Sequence, residues 1–429
     1  MRDIALALLI FGLIPFALKR PWIGVLMFIW ISVMTPHRMA YGFAYDFPWA
    51  ALIAGVTLLS MAINYKQVKF PVTGITVLLV LLPLWFCVTF AFALEPEPAY
   101  NRWVEVMKVF FFILVTASLI QTRQHIEWLL WVIVASVGFF GVKGGLFTIL
   151  TGGGARVYGP PGSSFISDNN AIAVALVMSI PLMYYLRSVT DNKWIKRGLL
   201  VAMLLSGMAI LGTHSRGAFL GVLAMCLFLW LKSQAKIMSG ILLLLLVPIA
   251  IGFMPDSWTE RMSSIQTYDQ DASAMGRINA WHMAINIANA RPLVGGGFEL
   301  YRPRVFAMYA PNPDDLHTAH SIYFQMLGEH GYVGLLLFLS LGILSWIKAR
   351  QIITASKGRP EFTWAAQLAR AIQVSLIGFA VGGAFVNIGY WELQYYEMIV
   401  LVVVHRLVTV GTRSAPLAGA GFKGLPGTA

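Results

Sequence analysis

Apolar runs of roughly 15 to 25 residues recur along the whole chain. A helix rises 1.5 Å per residue, so crossing a hydrocarbon core about 30 Å thick takes about 20 such residues. Thirteen candidate spans can be drawn. They are Ile4–Leu18, Trp22–Met34, Phe47–Ile63, Val72–Leu94, Trp103–Ile120, Ile126–Leu150, Asn170–Leu186, Leu199–Leu211, Ala218–Leu231, Ile237–Phe253, Ile322–Ile347, Leu368–Ile388 and Tyr395–Val410. The first two are short for a full crossing, so twelve or thirteen spans are expected. A soluble helical protein would keep a polar stripe on most helices, whereas these are apolar on every face. Only 12% of residues are charged, against about 25% in an ordinary soluble domain. The expected fold is therefore an all-α polytopic membrane protein of about twelve transmembrane helices. It forms one domain over residues 1–410 with a large loop at 255–320. A tail at 411–429, rich in Gly, Pro and Ala, is expected to be disordered.

The net charge of +12 invites a nucleic-acid reading, but the lysines argue against it. Lys66, Lys69, Lys193, Lys196, Lys232, Lys236, Lys348 and Lys357 lie in short connectors between spans. That is the positive-inside bias, which sets orientation and puts these connectors in the cytoplasm. Alternating crossings then place four polar segments together on the periplasmic face: Glu95–Arg102, Thr151–Asn169, the turn His214-Ser215-Arg216-Gly217 and the loop Pro255–His320. The cytoplasmic tail follows from the same count. Cys87 and Cys226 each sit inside an apolar run, with no disulfide framework or metal spacing. Arg2 precedes an apolar run that ends in Lys19-Arg20-Pro21 without a small-residue cleavage site, which reads as a retained helix.

The long loop carries Arg261, Arg277, Arg291, Arg302 and Arg304 and no lysine. Guanidinium forks grip phosphate or carboxylate bidentately, which makes this loop the place to look for chemistry. Arg156 lies in a Gly- and Pro-rich connector able to bring backbone N–H groups to an anion; a stray surface arginine is the plainer reading. Arg216 sits in a turn on the outer face, against the positive-inside trend; a snorkelling interfacial arginine is its plainer reading. Arg277 begins what reads as a short amphipathic helix on the membrane interface, whose positive end suits phosphate. Arg291, Arg302 and Arg304 read first as structural or headgroup contacts, with Arg291 kept as a supporting candidate. His317 and His320 have a spacing that could hold zinc, but no carboxylate or cysteine completes a ligand set. No metal and no cofactor are expected. His320, at the mouth of a span and near arginines, is the candidate base, since a neutral imidazole can take an alcohol proton near pH 7. His317 and Glu329 are candidate supports: Glu329 is one of few acids inside a span, with an arginine or a histidine as its expected partner. Gly331 and Gly334 read as small residues that permit close helix contact.

The segment His320-Ser321, nine residues, then Gly331-Tyr332-Val333-Gly334 resembles the signature of the bacterial O-antigen ligase family. That family also includes Wzy-type O-antigen polymerases and protein O-oligosaccharyltransferases. The likeness extends to the large loop before the motif and to Ser215-Arg216-Gly217, and covers roughly Trp22 to Arg406. It is nearest the lipopolysaccharide ligase branch, while Arg38 and Ala40-Tyr41-Gly42 are similar to the O-glycosylation ligase branch. The resemblance implies an architecture like the class-C glycosyltransferases, in the bacterial inner membrane with a periplasmic site. It implies an undecaprenyl diphosphate-linked O-antigen donor, a lipid A-core acceptor, inversion at the anomeric carbon and no metal or nucleotide. By motif His320 becomes the base and Arg216 the best-matched diphosphate ligand; Arg156 and Arg277 follow by position. Polymerase and protein glycosylation share this chemistry. A transporter would show paired halves with broken helices, and no such halves are visible.

Overall fold

A computed structural model describes residues 2–162, 164–232, 251–263 and 271–414, with isolated positions between 233 and 250. The described residues are helical, without strands. In chain order the helices are α1 (Arg2–Lys19), α2 (Pro21–Met34), α3 (Trp49–Ile63), α4 (Gly74–Ala91), α5 (Pro96–Leu119), α6 (Arg123–Leu150), α7 (Asn169–Val189), α8 (Lys193–Gly212) and α9 (Arg216–Lys232). Then come α10 (Asp256–Ser263), α11 (Ala272–Ala290), α12 (Pro303–Tyr309), α13 (Ile322–Ala355), α14 (Thr363–Gly382) and α15 (Leu393–Ser414). The expected span at Ile237–Phe253 lies largely outside the described residues, as does the tail from 415 onward.

Every other expected span coincides with a helix, yet among the described residues only seven are long and apolar enough to cross a bilayer. These are α4, α6, α7, α8, α13, the segment Pro360–Phe385 around α14, and Leu393–Val410 within α15. The shortfall against twelve has two causes. Helices α2, α3 and α9 hold 14, 15 and 17 residues, about 21, 23 and 26 Å at 1.5 Å per residue, less than the hydrocarbon thickness. Helices α1 and α5 carry several charges, Arg2, Asp3 and Lys19 in the end turns of α1 and Glu97, Arg102, Glu105 and Lys108 along the N-terminal part of α5.

Close packing in the bundle depends on small residues, because lipid offers no hydrophobic drive between helices. On α6, a Cβ at Gly145 would lie 2.1 Å from the Leu205 carbonyl oxygen of α8, and one at Gly141 would lie 2.2 Å from Ser206 Oγ. The α6–α8 contact is accordingly backbone against backbone. Helices α7, α9, α13 and α14 pack around one another, and one large core joins most of the bundle. Helices α1–α3 keep a smaller core of their own around Leu6, Ile10, Met27, Trp49 and Ile53.

The long loop folds onto one end of this bundle. Asp271 caps α11 by accepting from the Ala274 N–H at 2.9 Å. The Gly276, Ala280, Met283 and Ile287 face of α11 is buried, partly in a cluster with Leu300, Val305 and Phe306. The amphipathic helix expected around Arg277 is thus a 19-residue helix packed on α12 and α13.

Candidate functional site

The four polar segments grouped by counting crossings do touch. The Leu94 N–H donates to the Gly296 carbonyl at 2.8 Å, and the Val157 N–H to the Gly212 carbonyl at 2.9 Å. Asn169 Nδ2 donates to Thr213 O at 2.8 Å. The ring N–H of His214 donates to Gly153 O at 2.9 Å, and Arg261 Nε donates to His214 O at 3.0 Å. The Arg102 guanidinium lies 4.5 Å from the Phe165 ring centroid. At the other end of the bundle, Gln121 donates to Gln67 O at 2.7 Å and Arg406 donates to Gln121 O at 3.0 Å, which gathers the connectors near Lys66 and Lys69.

Arg216 heads α9, where Ser215 caps the helix by accepting from the Ala218 N–H at 3.2 Å. Its guanidinium meets Asp271 at 2.5 Å, with the two side chains 13% and 21% exposed. One carboxylate therefore both caps α11 and grips Arg216 from across the loop. Gly217 follows because a Cβ there would lie 2.4 Å from the Phe385 side chain.

Four guanidinium groups share this end of the fold. Burial, then Arg216 and Arg261, hold Arg277 below the ordinary arginine value, with Asp271 and Asp168 opposing. Burial, then Arg156 and Arg216, do the same to Arg261. Among the described residues, Asp168 and Asp271 are the carboxylates that act on these arginines, and a group of guanidinium forks of this kind suits a multiply charged anion. Arg216 and Arg277 line a groove of about 290 Å³ whose remaining walls, including Leu220, Ile278, Trp281 and Phe385, are largely apolar. A charged mouth on an apolar body fits a phosphate carried on a lipid.

His320 stands beside Arg277. Burial above all, then Arg277, push its imidazole from 6.5 down to about 4, while Asp168 pulls upward. The ring is neutral at pH 7, the form a general base needs. His317 also belongs here: it packs over Gly276, where a Cβ would lie 2.2 Å from its Nδ1, and lies 2.7 Å from Asp315 Oδ1. Among the described residues, no group of three or more His, Cys, Asp or Glu comes together as a ligand set.

Two candidate supports lie apart from the cluster. Arg291 donates to Phe92 O at 2.5 Å, closing the end of α4. Glu329 is buried in α13 and accepts from the Tyr390 hydroxyl. His330 Nε2 lies 2.5 Å from the same phenol, and its Nδ1 lies 2.7 Å from Thr89 Oγ1. The expected histidine neighbour of Glu329 is therefore His330, reached through Tyr390.

Gly331 has a larger role than close contact. It sits at φ 67 and ψ −170 inside α13, a conformation open essentially to glycine alone. The break turns carbonyls outward: Gly328 O accepts from the Gly296 N–H at 2.7 Å and Glu329 O from the Gly297 N–H at 2.9 Å. The loop's triple glycine is thereby bonded to the bent helix.

The sequence does not single out Arg261, His214, Asp168 or Asp271 as site residues, yet all four belong to the cluster. Asp168 and Asp271 bear the signature of helix caps, but nothing local ties Asp271 to an arginine 55 residues away. His214-Ser215 repeats His320-Ser321, and both histidines take positive φ, 55 and 43; the repeated dipeptide was a usable signal.

Fold and site define a multi-pass membrane protein with a cluster of arginines beside a neutral histidine at one end of its bundle. Residues 201–339 match the model of the O-antigen ligase family, whose members are glycosyltransferase-like enzymes, the family whose signature the motif resembles. Residues 1–191 match a family of unknown function, DUF5935. No curated protein matches the chain. The ligase match spans Arg216, Arg261, Arg277 and His320, whereas Arg156 and Asp168 come from the other region. The site is built across both.

Proposed function

We propose that this protein is an O-antigen ligase. It transfers a glycan from undecaprenyl diphosphate to a hydroxyl of lipid A-core oligosaccharide at the periplasmic face of the inner membrane. The observation that carries the reading is the placement of a neutral His320 next to Arg277, which lines a groove together with Arg216. The acceptor oxygen attacks the anomeric carbon as its proton passes to the His320 imidazole. The bond from that carbon to the diphosphate breaks, and the electron pair leaves on phosphate oxygen. In-line displacement inverts the anomeric centre. Arg216 and Arg277, with Arg156 and Arg261 behind them, hold the diphosphate and stabilise the charge that grows on it. Guanidinium groups fill the role of a divalent cation, so no metal is required.

The test is transfer by purified protein from undecaprenyl diphosphate-glycan, offered three acceptors separately. Lipid A-core should be glycosylated. Elongation of a second donor instead would mark a polymerase, and modification of a pilin serine would mark a protein glycosyltransferase. No transfer to any hydroxyl acceptor, with the donor still bound, would refute the reading.

A further inference from the structure

His320 occupies left-handed backbone at φ 43, a sparsely populated conformation for a residue with a side chain, kept only when the surroundings over-determine it. Two side chains hold the peptide groups on either side. Trp281 Nε1 donates to the Ala319 carbonyl at 2.6 Å, and the Ser321 N–H donates to Asn387 Oδ1 at 2.9 Å. Ser321 is the N-cap of α13, and a helix commonly satisfies its N-cap N–H with a polar side chain at the third helical position. That position is Phe324, which stacks on Trp281 with centroids 4.9 Å apart and an angle of 14°. The acceptor is supplied from 66 residues away.

Asn387 is itself firmly placed. Ile388 is fully buried and Val386 is 2% exposed. Gln325 Oε1 accepts from the Gly389 N–H at 3.3 Å, and the Tyr395 hydroxyl donates to Gly389 O at 2.6 Å. Tyr390, three residues on, is anchored by Glu329 and His330. The buried Glu329–Tyr390–His330 network thus acquires a purpose: it fastens the segment that carries Asn387 to α13.

We propose that Asn387 is a positioning residue for the His320 base, acting with Trp281 as the other half of a clamp that holds the histidine's backbone. The proposal rests on the reading of His320 as the base. Without the Asn387 oxygen the Ser321 N–H loses its acceptor, and the imidazole drifts from the acceptor hydroxyl. The donor cradle is untouched, because Asn387 does not line the arginine groove.

The experiment compares Asn387→Ala, Asn387→Asp, His320→Ala and the double variant His320→Ala/Asn387→Ala in the transfer assay. A misplacement of about 1 Å can cost on the order of 100-fold, so Asn387→Ala should lower kcat by about 10- to 100-fold, with donor KM within about twofold. Asn387→Asp keeps an oxygen acceptor and should recover most of kcat. Its added carboxylate, bonded to the peptide that follows His320, should also shift the acid limb of the pH profile upward, whereas a variant that perturbed only the fold would leave the limb in place. On the His320→Ala background, Asn387→Ala should have no further effect. If it costs the same factor there, or if Asn387→Asp is as impaired as Asn387→Ala with an unmoved limb, the clamp is refuted. Full activity in His320→Ala alone would overturn the base assignment and the clamp with it. Should Asn387→Ala fail to fold, the limb shift in Asn387→Asp still decides.

Discussion

The most demanding test of the site is the direction in which its pH profile moves. His320 acts as a base in its neutral form, which exists above its pKa. Wild-type kcat/KM should therefore stay level from neutral pH downward and fall only near the value of about 4 to which burial and Arg277 push the imidazole. An ordinary histidine would lose activity near 6.5. Arg277→Gln removes the second-largest cause of the depression. The imidazolium is then less disfavoured, its pKa rises, and the acid limb should move up by about one unit, equivalent to ~1.4 kcal/mol of relieved repulsion. Burial, the larger cause, remains, so the limb should stop well short of 6.5. Asp168→Asn should do the opposite, because Asp168 favours the imidazolium. The asparagine should preserve the fold, since it caps helices about as well as aspartate; Asp168 now accepts from Asn170 N–H at 2.8 Å and Ala171 N–H at 3.1 Å. The measurement is kcat/KM against pH, each profile normalised to its own plateau, so that weaker donor binding in Arg277→Gln does not enter the limb position. A wild-type limb near 6.5, or two substitutions that move it the same way, would refute the electrostatic account.

Arg216→Ala should weaken binding of the lipid diphosphate by about 10- to 100-fold, as expected for losing charge-assisted hydrogen bonds, and Arg216→Lys should recover only part of it, since a point charge lacks the guanidinium fork; equilibrium binding of donor checks both. Gly331→Ala places a Cβ 2.4 Å from the Leu293 carbonyl oxygen at φ 67, so it should destabilise by ~2 kcal/mol or more and lower the midpoint of thermal unfolding, whereas equal stability would show that α13 is unbroken there. Transfer activity should persist in excess chelator, and a loss restored by one particular metal would reassign His317 and His320 as ligands. Cysteines placed beside Arg156, Arg216, Arg277 and His320 should all react with an impermeant thiol reagent in spheroplasts, and labelling of any one only after permeabilisation would separate it from the rest.

Local pattern carried much of this protein. The length and apolarity of the runs imposed helices, since a helix bonds its own backbone and can sit in lipid. The lysine bias and strict alternation grouped four distant polar segments at one end, and the chain bonds those segments together. The short motif around His320 pointed to the O-antigen ligase family because its residues lie within one helix and the turn before it. How many helices can cross was less legible, because run length ignores where a helix is capped and where charge enters its ends. Relations between residues far apart in the chain were set by packing. Asp271 grips Arg216, Arg261 joins the cluster through His214, the charge of Asp168 acts on His320, and Asn387 reaches the peptide after it. Glu329 turned inward to Tyr390 and His330, and Arg291 went to close α4. A helix or a cap leaves a periodic or adjacent trace in sequence. A hydrogen bond or ion pair between elements depends on how the bundle packs, and leaves none.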